Sequence, residues 1–129
     1  MDGGVRRLLR EAEVVPARIA PATRIAVRSV GRVVIVPVQG IVRLEACDNY
    51  VRIWADRAYL HKETLTGLVA RLDPALFVRV HRSHAINAAF VHELRSQLHG
   101  EYTITFADGA QVSSGRTYRA EIQQAFGLT

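Results

Sequence analysis

Phe77-Val78-Arg79-Val80-His81-Arg82-Ser83-His84-Ala85-Ile86-Asn87 is the stretch on which the reading of this chain turns. Val78 and Val80 alternate with Arg79 and His81, as side chains alternate between the two faces of a strand. The alternation then gives way to Arg82, Ser83 and His84, with Asn87 after two apolar residues. A forked cation, a hydroxyl, an imidazole and an amide are thereby brought close together. Arg suits guanine edges and Asn suits adenine edges, while Ser and Arg also hold phosphates. Taken alone, the block is equally a polar strand end in an ordinary β protein.

The flanking sequence has the same short-strand character. Arg24–Val30 and Val33–Val38 read as strands around a Gly31-Arg32 turn, and Ile41–Ala46 as a third. Asp48-Asn49 marks a turn into the alternating Tyr50–Ala55, and Asp56-Arg57 leads into Ala58–His61. Thr64–Leu72 is predicted as a helix, with Leu65, Leu68, Val69 and Leu72 on one side and Asp73-Pro74 as its stop. Val91–Arg95 returns to strand. In Tyr102–Phe106, Tyr102, Ile104 and Phe106 are expected inward and Thr103 and Thr105 outward. Asp108-Gly109 signals a hairpin into Gln111–Ser113. Thr117–Phe126 closes the chain as a helix, with Tyr118, Ile122 and Phe126 one turn apart. The prediction is an all-β domain of nine or ten short strands with one internal helix and one C-terminal helix. No strand–helix alternation suggests a parallel doubly wound sheet.

Residues 1–23 differ from the rest. Val5, Leu8, Leu9 and Ala12 fall at helical spacing among Arg6, Arg7 and Arg10, and Pro16 and Pro21 then favour extended chain. They read as a basic leader and linker, with one domain over 24–129. The length of 129 residues and 49% hydrophobic content fit one folded domain. No apolar run approaches the roughly 18 residues of a membrane span. Charged residues interrupt the start, so no secretory signal is read and a cytoplasmic location is expected. Cys47 is the only cysteine, which excludes an internal disulfide or a cysteine-rich metal site. The net charge is +5, and every basic residue but Lys62 is Arg. Such a balance favours a polyanionic partner, with a planar fork suited to phosphate and guanine.

Four blocks in order resemble the LytTR DNA-binding domain of bacterial transcription regulators. Ile41-Val42-Arg43-Leu44-Glu45-Ala46-Cys47-Asp48-Asn49-Tyr50-Val51 is similar to that family's strand, acidic residue, loop and Asn-Tyr-Val. Thr64-Leu65 and Leu68 to Leu72 resemble its helix. Phe77-x-Arg79-x-His81-Arg82-Ser83 with Asn87 resembles its most characteristic block, and Ser113-Ser114-Gly115-Arg116-x-Tyr118 its closing element. The resemblance covers roughly residues 24–127. Gly115 departs from it, standing where the family usually has Ser, and His84 occupies a variable position.

The resemblance implies three small β sheets in an elongated arrangement that reads DNA with loops, two protomers binding tandem direct repeats in promoters. It implies Arg82 and Arg116 as base contacts, with Asn49 and Tyr50 supplying a third. Arg79, His81, Ser83, Ser114 and Arg119 are implied as phosphate contacts, with His84 and Asn87 in support. No cofactor is implied. Regulators of the family often carry a receiver or a membrane segment, for which this chain has no room. A regulatory protein acting through residues 1–23 is therefore expected, unless the chain is the C-terminal piece of something longer.

Other chemistries fit less well. In a strand, positions 81 and 84 face opposite ways, so His81 and His84 do not converge on a metal without a turn. Ser113-Ser114-Gly115 is not a nucleophile elbow, and no Gly-rich phosphate loop follows a strand; no catalytic activity is expected. Arg82 has a structural alternative as the partner of Glu63 or Glu93. Arg116 has one at the terminal helix, where a cation at the N-terminus is unfavourable. Asn87 is equally a turn residue, and Glu45 is expected to be structural. RNA binding would ask for exposed stacking aromatics, for which Tyr50, Trp54 and Tyr59 are the candidates. The live rival is an interaction module of the same fold whose main task is to bind a regulatory protein.

Overall fold

The structure, a computed structural model, describes residues 20–128. The expected leader helix around Val5–Ala12 lies outside them. Ten strands and two short helices follow: β1 (Arg24–Ser29), β2 (Arg32–Pro37), β3 (Arg43–Cys47), β4 (Tyr50–Trp54), β5 (Ala58–His61), α1 (Leu65–Ala70), β6 (Phe77–His81), β7 (His84–Asn87), β8 (Val91–Ser96), β9 (Tyr102–Phe106), β10 (Gln111–Ser113) and α2 (Arg119–Ala125). They form three antiparallel sheets. A five-stranded sheet, ordered β5-β4-β3-β7-β6, lies between the β1–β2 hairpin and the three-stranded β10-β9-β8 sheet.

Two hydrophobic cores result, one on each face of the middle sheet. Leu44, Val51, Ile53 and Ala85 meet Ile25, Val27 and Val36 of the first hairpin, together with Leu65 and Leu68 of α1. Val78, Val80 and Ile86 meet Tyr102, Ile104 and Phe106 of β9 and Ile122 of α2. The β6–β7 pair is thus buried on both faces, which is why Ala85-Ile86 reads as unbroken apolar sequence. On β3 and β4 the second face is less covered, and it carries Arg43, Glu45, Arg52 and Trp54, all only partly exposed.

The helices are shorter than predicted. Thr64 Oγ1 accepts from Gly67 N at 3.0 Å and starts α1 at Leu65. Arg71 N donates to Leu68 O and Leu72 N to Val69 O, so the last turn tightens before Pro74. The C-terminal helix is preceded by a 3-10 turn over Arg116–Tyr118. Gly115 N donates to Val80 O at 2.8 Å, so the closing segment is an extra rung on the β6 edge before it can coil. Ala22 N donates to Arg71 O at 2.8 Å and its side chain packs on the first core, joining residues just before β1 to the body.

Candidate nucleic-acid interface

Strand pairing decides which loops share one end of the middle sheet. Cys47 pairs with Tyr50, so the β3–β4 turn is Asp48-Asn49. Asp48 takes φ 56°, a left-handed conformation that Asp tolerates better than most residues. Glu45 pairs with His84 on β7, which places the Arg82-Ser83 turn at the same end as Asp48-Asn49. Gly115 sits on Val80, and a Cβ there would lie 3.6 Å from the His81 ring. The segment that carries Arg116 therefore joins these two turns.

Arg82, Arg116 and Asn49 are exposed. Among the described residues their side chains have no hydrogen-bond or ion-pair partner. The suggested partners of Arg82 are engaged elsewhere: Glu63 with Arg71 and His61, and Glu93 with Arg95. Tyr50 is 38% exposed at the base of its turn.

The turn beneath Arg82 is pinned from both sides. Arg79 Nε donates to His81 O at 2.9 Å, its NH2 donates to Arg82 O, and its NH1 donates to Thr66 Oγ1 at 3.3 Å. The register shifts between Arg79 and His81, a bulge that turns this guanidinium back over the turn. On the other side Ser83 O accepts from Ala46 N at 2.8 Å. Ser83 N donates to His81 Nδ1 at 3.1 Å, and Ser83 Oγ lies 2.8 Å from His81 Nδ1 and 3.0 Å from His84 Nδ1.

Several of the expected contact and supporting residues have partners inside the protein. Asn87 is buried; its Nδ2 donates to Ile41 O at 2.8 Å and its Oδ1 accepts from Ala89 N at 2.9 Å. Ser114 is also buried, and its Oγ accepts from Tyr102 N at 2.9 Å. Both act as interior joints, because a buried polar group must find its partner inside the protein. Arg119 donates to Gly100 O at 3.0 Å and lies 4.7 Å over the Tyr102 ring. Arg79 therefore spends its fork on the protein itself, and Arg119 one arm of its own. His81 and His84 do converge, with ring centroids 5.5 Å apart, because Arg82-Ser83 supplies the turn between them. Among the described residues no group of three or more His, Cys, Asp or Glu is placed to hold a metal.

Sequence reasoning missed Lys62 and Thr66, and gave Glu45 a structural role without its partners. Lys62 is exposed just beyond His61, which pairs with Val51 at this same sheet end. Thr66 braces Arg79 from α1. Glu45 is a hub: it accepts from Trp54 Nε1 at 3.4 Å and lies 3.5 Å from Arg52 and 3.9 Å from His84 Nε2. Only the strand register brings these together, and no local motif announces it. Burial pushes the His84 imidazole below its ordinary pKa, against the pull of Glu45 and with the push of His81 and Arg43. Trp54 and Tyr59, weighed as stacking platforms, are covered by Arg43 at 4.4 Å and Arg57 at 4.8 Å.

The LytTr DNA-binding domain family matches this chain over residues 31–127. The chain belongs to that family. LytTR relatives include the sensory transduction protein LytT of Bacillus subtilis, 30% identical over 98 residues, which are 74% of this chain and 41% of LytT. The transcriptional regulatory protein LytR of Staphylococcus aureus (strain MW2) is 30% identical over 70 residues, 54% of this chain and 28% of LytR. A haem-containing CO-sensing transcriptional regulator, RcoM 2 of Paraburkholderia xenovorans, is 29% identical over 107 residues, 81% of this chain and 40% of that protein. The chain thus spans less than half the length of these relatives. The LytTr domain of a putative methyl-accepting/DNA response regulator from Bacillus cereus shares the fold, with TM-score 0.75 at 20% identity over 82% of this chain and 98% of that one. The three-sheet, mainly β architecture is that of the LytTR domain. In the described residues no helix is long and apolar enough to cross a membrane.

Proposed function

We propose that this chain is the DNA-reading part of a transcription regulator and binds double-stranded DNA with the loop end of its middle sheet. Arg82 and Arg116 take base edges, and the Asp48-Asn49 turn adds Asn49 and Tyr50. Lys62 lies beside them, toward the phosphates. The observation that carries the reading is the meeting of three loops, distant in sequence, each with an exposed side chain and two with a forked cation. A good bidentate base contact discriminates by roughly 1–3 kcal/mol. A rigid turn beneath Arg82 lets that energy appear as specificity, because the side chain alone has to be ordered on binding.

The reading takes residues 24–129 as the binding unit, two protomers on tandem direct repeats, and residues 1–23 as a leader open to a regulatory partner. It places the protein in the cytoplasm, where its promoters are. A second reading, docking of a protein partner as the main task, draws on the outward face of the β1–β2 hairpin, where Val33 and Ile35 are exposed.

Selection from a genomic fragment library at moderate salt separates the two. Recovery of paired direct repeats supports promoter reading. Weak, salt-sensitive binding with no motif supports the partner-docking reading. On a recovered site, Arg82→Ala should lower specific affinity by about tenfold or more while non-specific affinity falls much less. An equal loss on both DNAs would remove Arg82 from base readout.

A further inference from the structure

The start of β9 lies at the same end of the molecule as the three loops of the proposed interface. Gly115 N donates to Val80 O at 2.8 Å and Ser114 N donates to Tyr102 O at 2.9 Å. The closing segment is thus bonded to β6 on one side and to β9 on the other. Ser114 Oγ, which accepts from Tyr102 N, doubles the second attachment. Ser96 pairs with Tyr102, so the β8–β9 turn, residues 97–101, is at this end too. A Cβ on Gly100 would lie 3.9 Å from Arg116 Cγ. The turn therefore flanks Arg116 on the side away from β6 and the Arg82 turn.

This hairpin tip is held in shape. Gln97 N donates to Glu101 O at 2.8 Å, and Gln97 Nε2 donates to Thr103 Oγ1 at 2.9 Å. Gly100 takes φ 96°, which glycine adopts without strain. Arg119 NH1 donates to Gly100 O at 3.0 Å while its guanidinium lies over the Tyr102 ring. Arg79 does the same for the Arg82 turn, with its guanidinium fastened to a turn carbonyl. Loop tips are ordinarily where a fold tolerates change and motion. Here two tips are braced by arginines, and an exposed arginine stands on one and beside the other. What the second tip presents is Leu98, 95% exposed, and His99, also exposed. An exposed leucine alone calls for no explanation; a braced one beside Arg116 makes a surface.

We propose that Leu98 and His99 form a fourth DNA-contacting loop, set on sugar and phosphate at the flank of the bases that Arg116 takes. The inference rests on Arg82 and Arg116 being base-reading residues. The closing segment stands one strand spacing from β9, and β8 stands one further. The tip between β9 and β8 is therefore centred about 7 Å to the side of Arg116. The wall of a major groove about 12 Å wide stands about 6 Å from its midline. A side chain that enters the groove at Arg116 thus leaves the tip over the bordering backbone. A neutral imidazole has one N–H to give to a phosphate oxygen, and leucine offers apolar contact to deoxyribose. Neither distinguishes one base from another, so the loop adds affinity and fixes register without adding letters. Glu101, partly exposed at the foot of the turn, confines the contact to the tip, because its carboxylate is repelled by phosphate.

The test uses the full chain and a duplex carrying one repeat from a selected site. The double variant Leu98→Ala, His99→Ala should bind about tenfold more weakly, the weight of one hydrogen bond. Its selected motif should be unchanged, and its hydroxyl-radical footprint should shorten only on the flank beside the bases that Arg116 takes. Leu98→Arg puts a cation in the same place and should steepen the slope of log K against log salt by about one unit. Ala107→Arg, at an exposed position just past the other end of β9, adds the same charge and should leave the slope as it is.

An unchanged footprint in the double variant, or an unchanged slope in Leu98→Arg, overturns the proposal. A loss of affinity on paired repeats that is absent on a single repeat assigns the tip to contact between protomers, and overturns it too. Selection that recovers no site, or a site indifferent to Arg82→Ala and Arg116→Ala, defeats the base-reading assignment and the proposal with it. A site that those two variants weaken and the tip variants do not defeats the proposal alone.

Discussion

Arg79 shows how a residue of the right type at the right place can do a different job from the one its type suggests. An arginine beside a turn proposed to face DNA reads as a phosphate contact. In the structure its fork is occupied by two carbonyls of that turn and by Thr66. Arg79→Ala should therefore lower the ratio of specific to non-specific affinity while leaving the slope of log K against log salt unchanged. A slope flatter by about one unit would make it a phosphate contact after all. Asn87 makes the same point from the interior. Removing its amide by Asn87→Ala leaves Ile41 O and Ala89 N without their partner and should cost about 1–3 kcal/mol in urea unfolding. Alternation in sequence says which face of a strand a side chain leaves from. It does not say whether a long side chain then folds back on its own loop, because here that depends on a bulge.

At the scale of the element, the strands were legible because their apolar residues alternate, and because Gly31, Asp48-Asn49 and Asp108-Gly109 punctuate them. The helix ends were less legible. After its bond to β6 at Gly115 the closing segment coils first as a 3-10 turn over Arg116–Tyr118, so α2 starts at Arg119 instead of Thr117. The same segment holds Gly115, which departs from the family pattern. Gly115 has φ −85° and ψ 149°, which any residue adopts, and a Cβ there would meet the Tyr118 ring at 3.4 Å, ordinary contact. Gly115→Ser should therefore change stability by less than about 1 kcal/mol in urea unfolding. A larger loss would mean that the close fit against Tyr118 and His81 demands glycine. The meeting of the three loops was legible only through the resemblance, since it follows from the β3–β7 pairing of residues some forty positions apart.

At the scale of the molecule, a surface network fastens the body across its elements. Glu63, between β5 and α1, accepts from Arg71 NH2 at 2.8 Å and from Arg71 Nε at 3.2 Å, and lies 2.8 Å from His61. Arg71 in turn receives the chain before β1 through its carbonyl. The Arg71 hydrogen bonds hold the Glu63 carboxyl below its ordinary pKa, burial opposing and His61 assisting. A carboxyl depressed on folding contributes stability above its unfolded pKa, about 4.3, and loses it as pH falls through the folded value. Unfolding midpoints in urea should therefore drop between about pH 5 and pH 3, and Glu63→Gln should lower the midpoint at pH 7 and flatten that drop. An equally steep drop in the variant would assign the acid sensitivity to other carboxyls.

The middle sheet also acts as a ruler. Its Asp48-Asn49 and Arg82-Ser83 turns cap neighbouring hairpins, β3–β4 and β7–β6. Their tips are therefore two strand spacings apart, about 10 Å. Stacked base pairs rise about 3.4 Å, so that interval is about three steps of a duplex. It is fixed by backbone hydrogen bonds, not by any side chain. Under the proposed function, exchanging the residues on the tips changes which letters are read, while the distance between the letters stays with the fold.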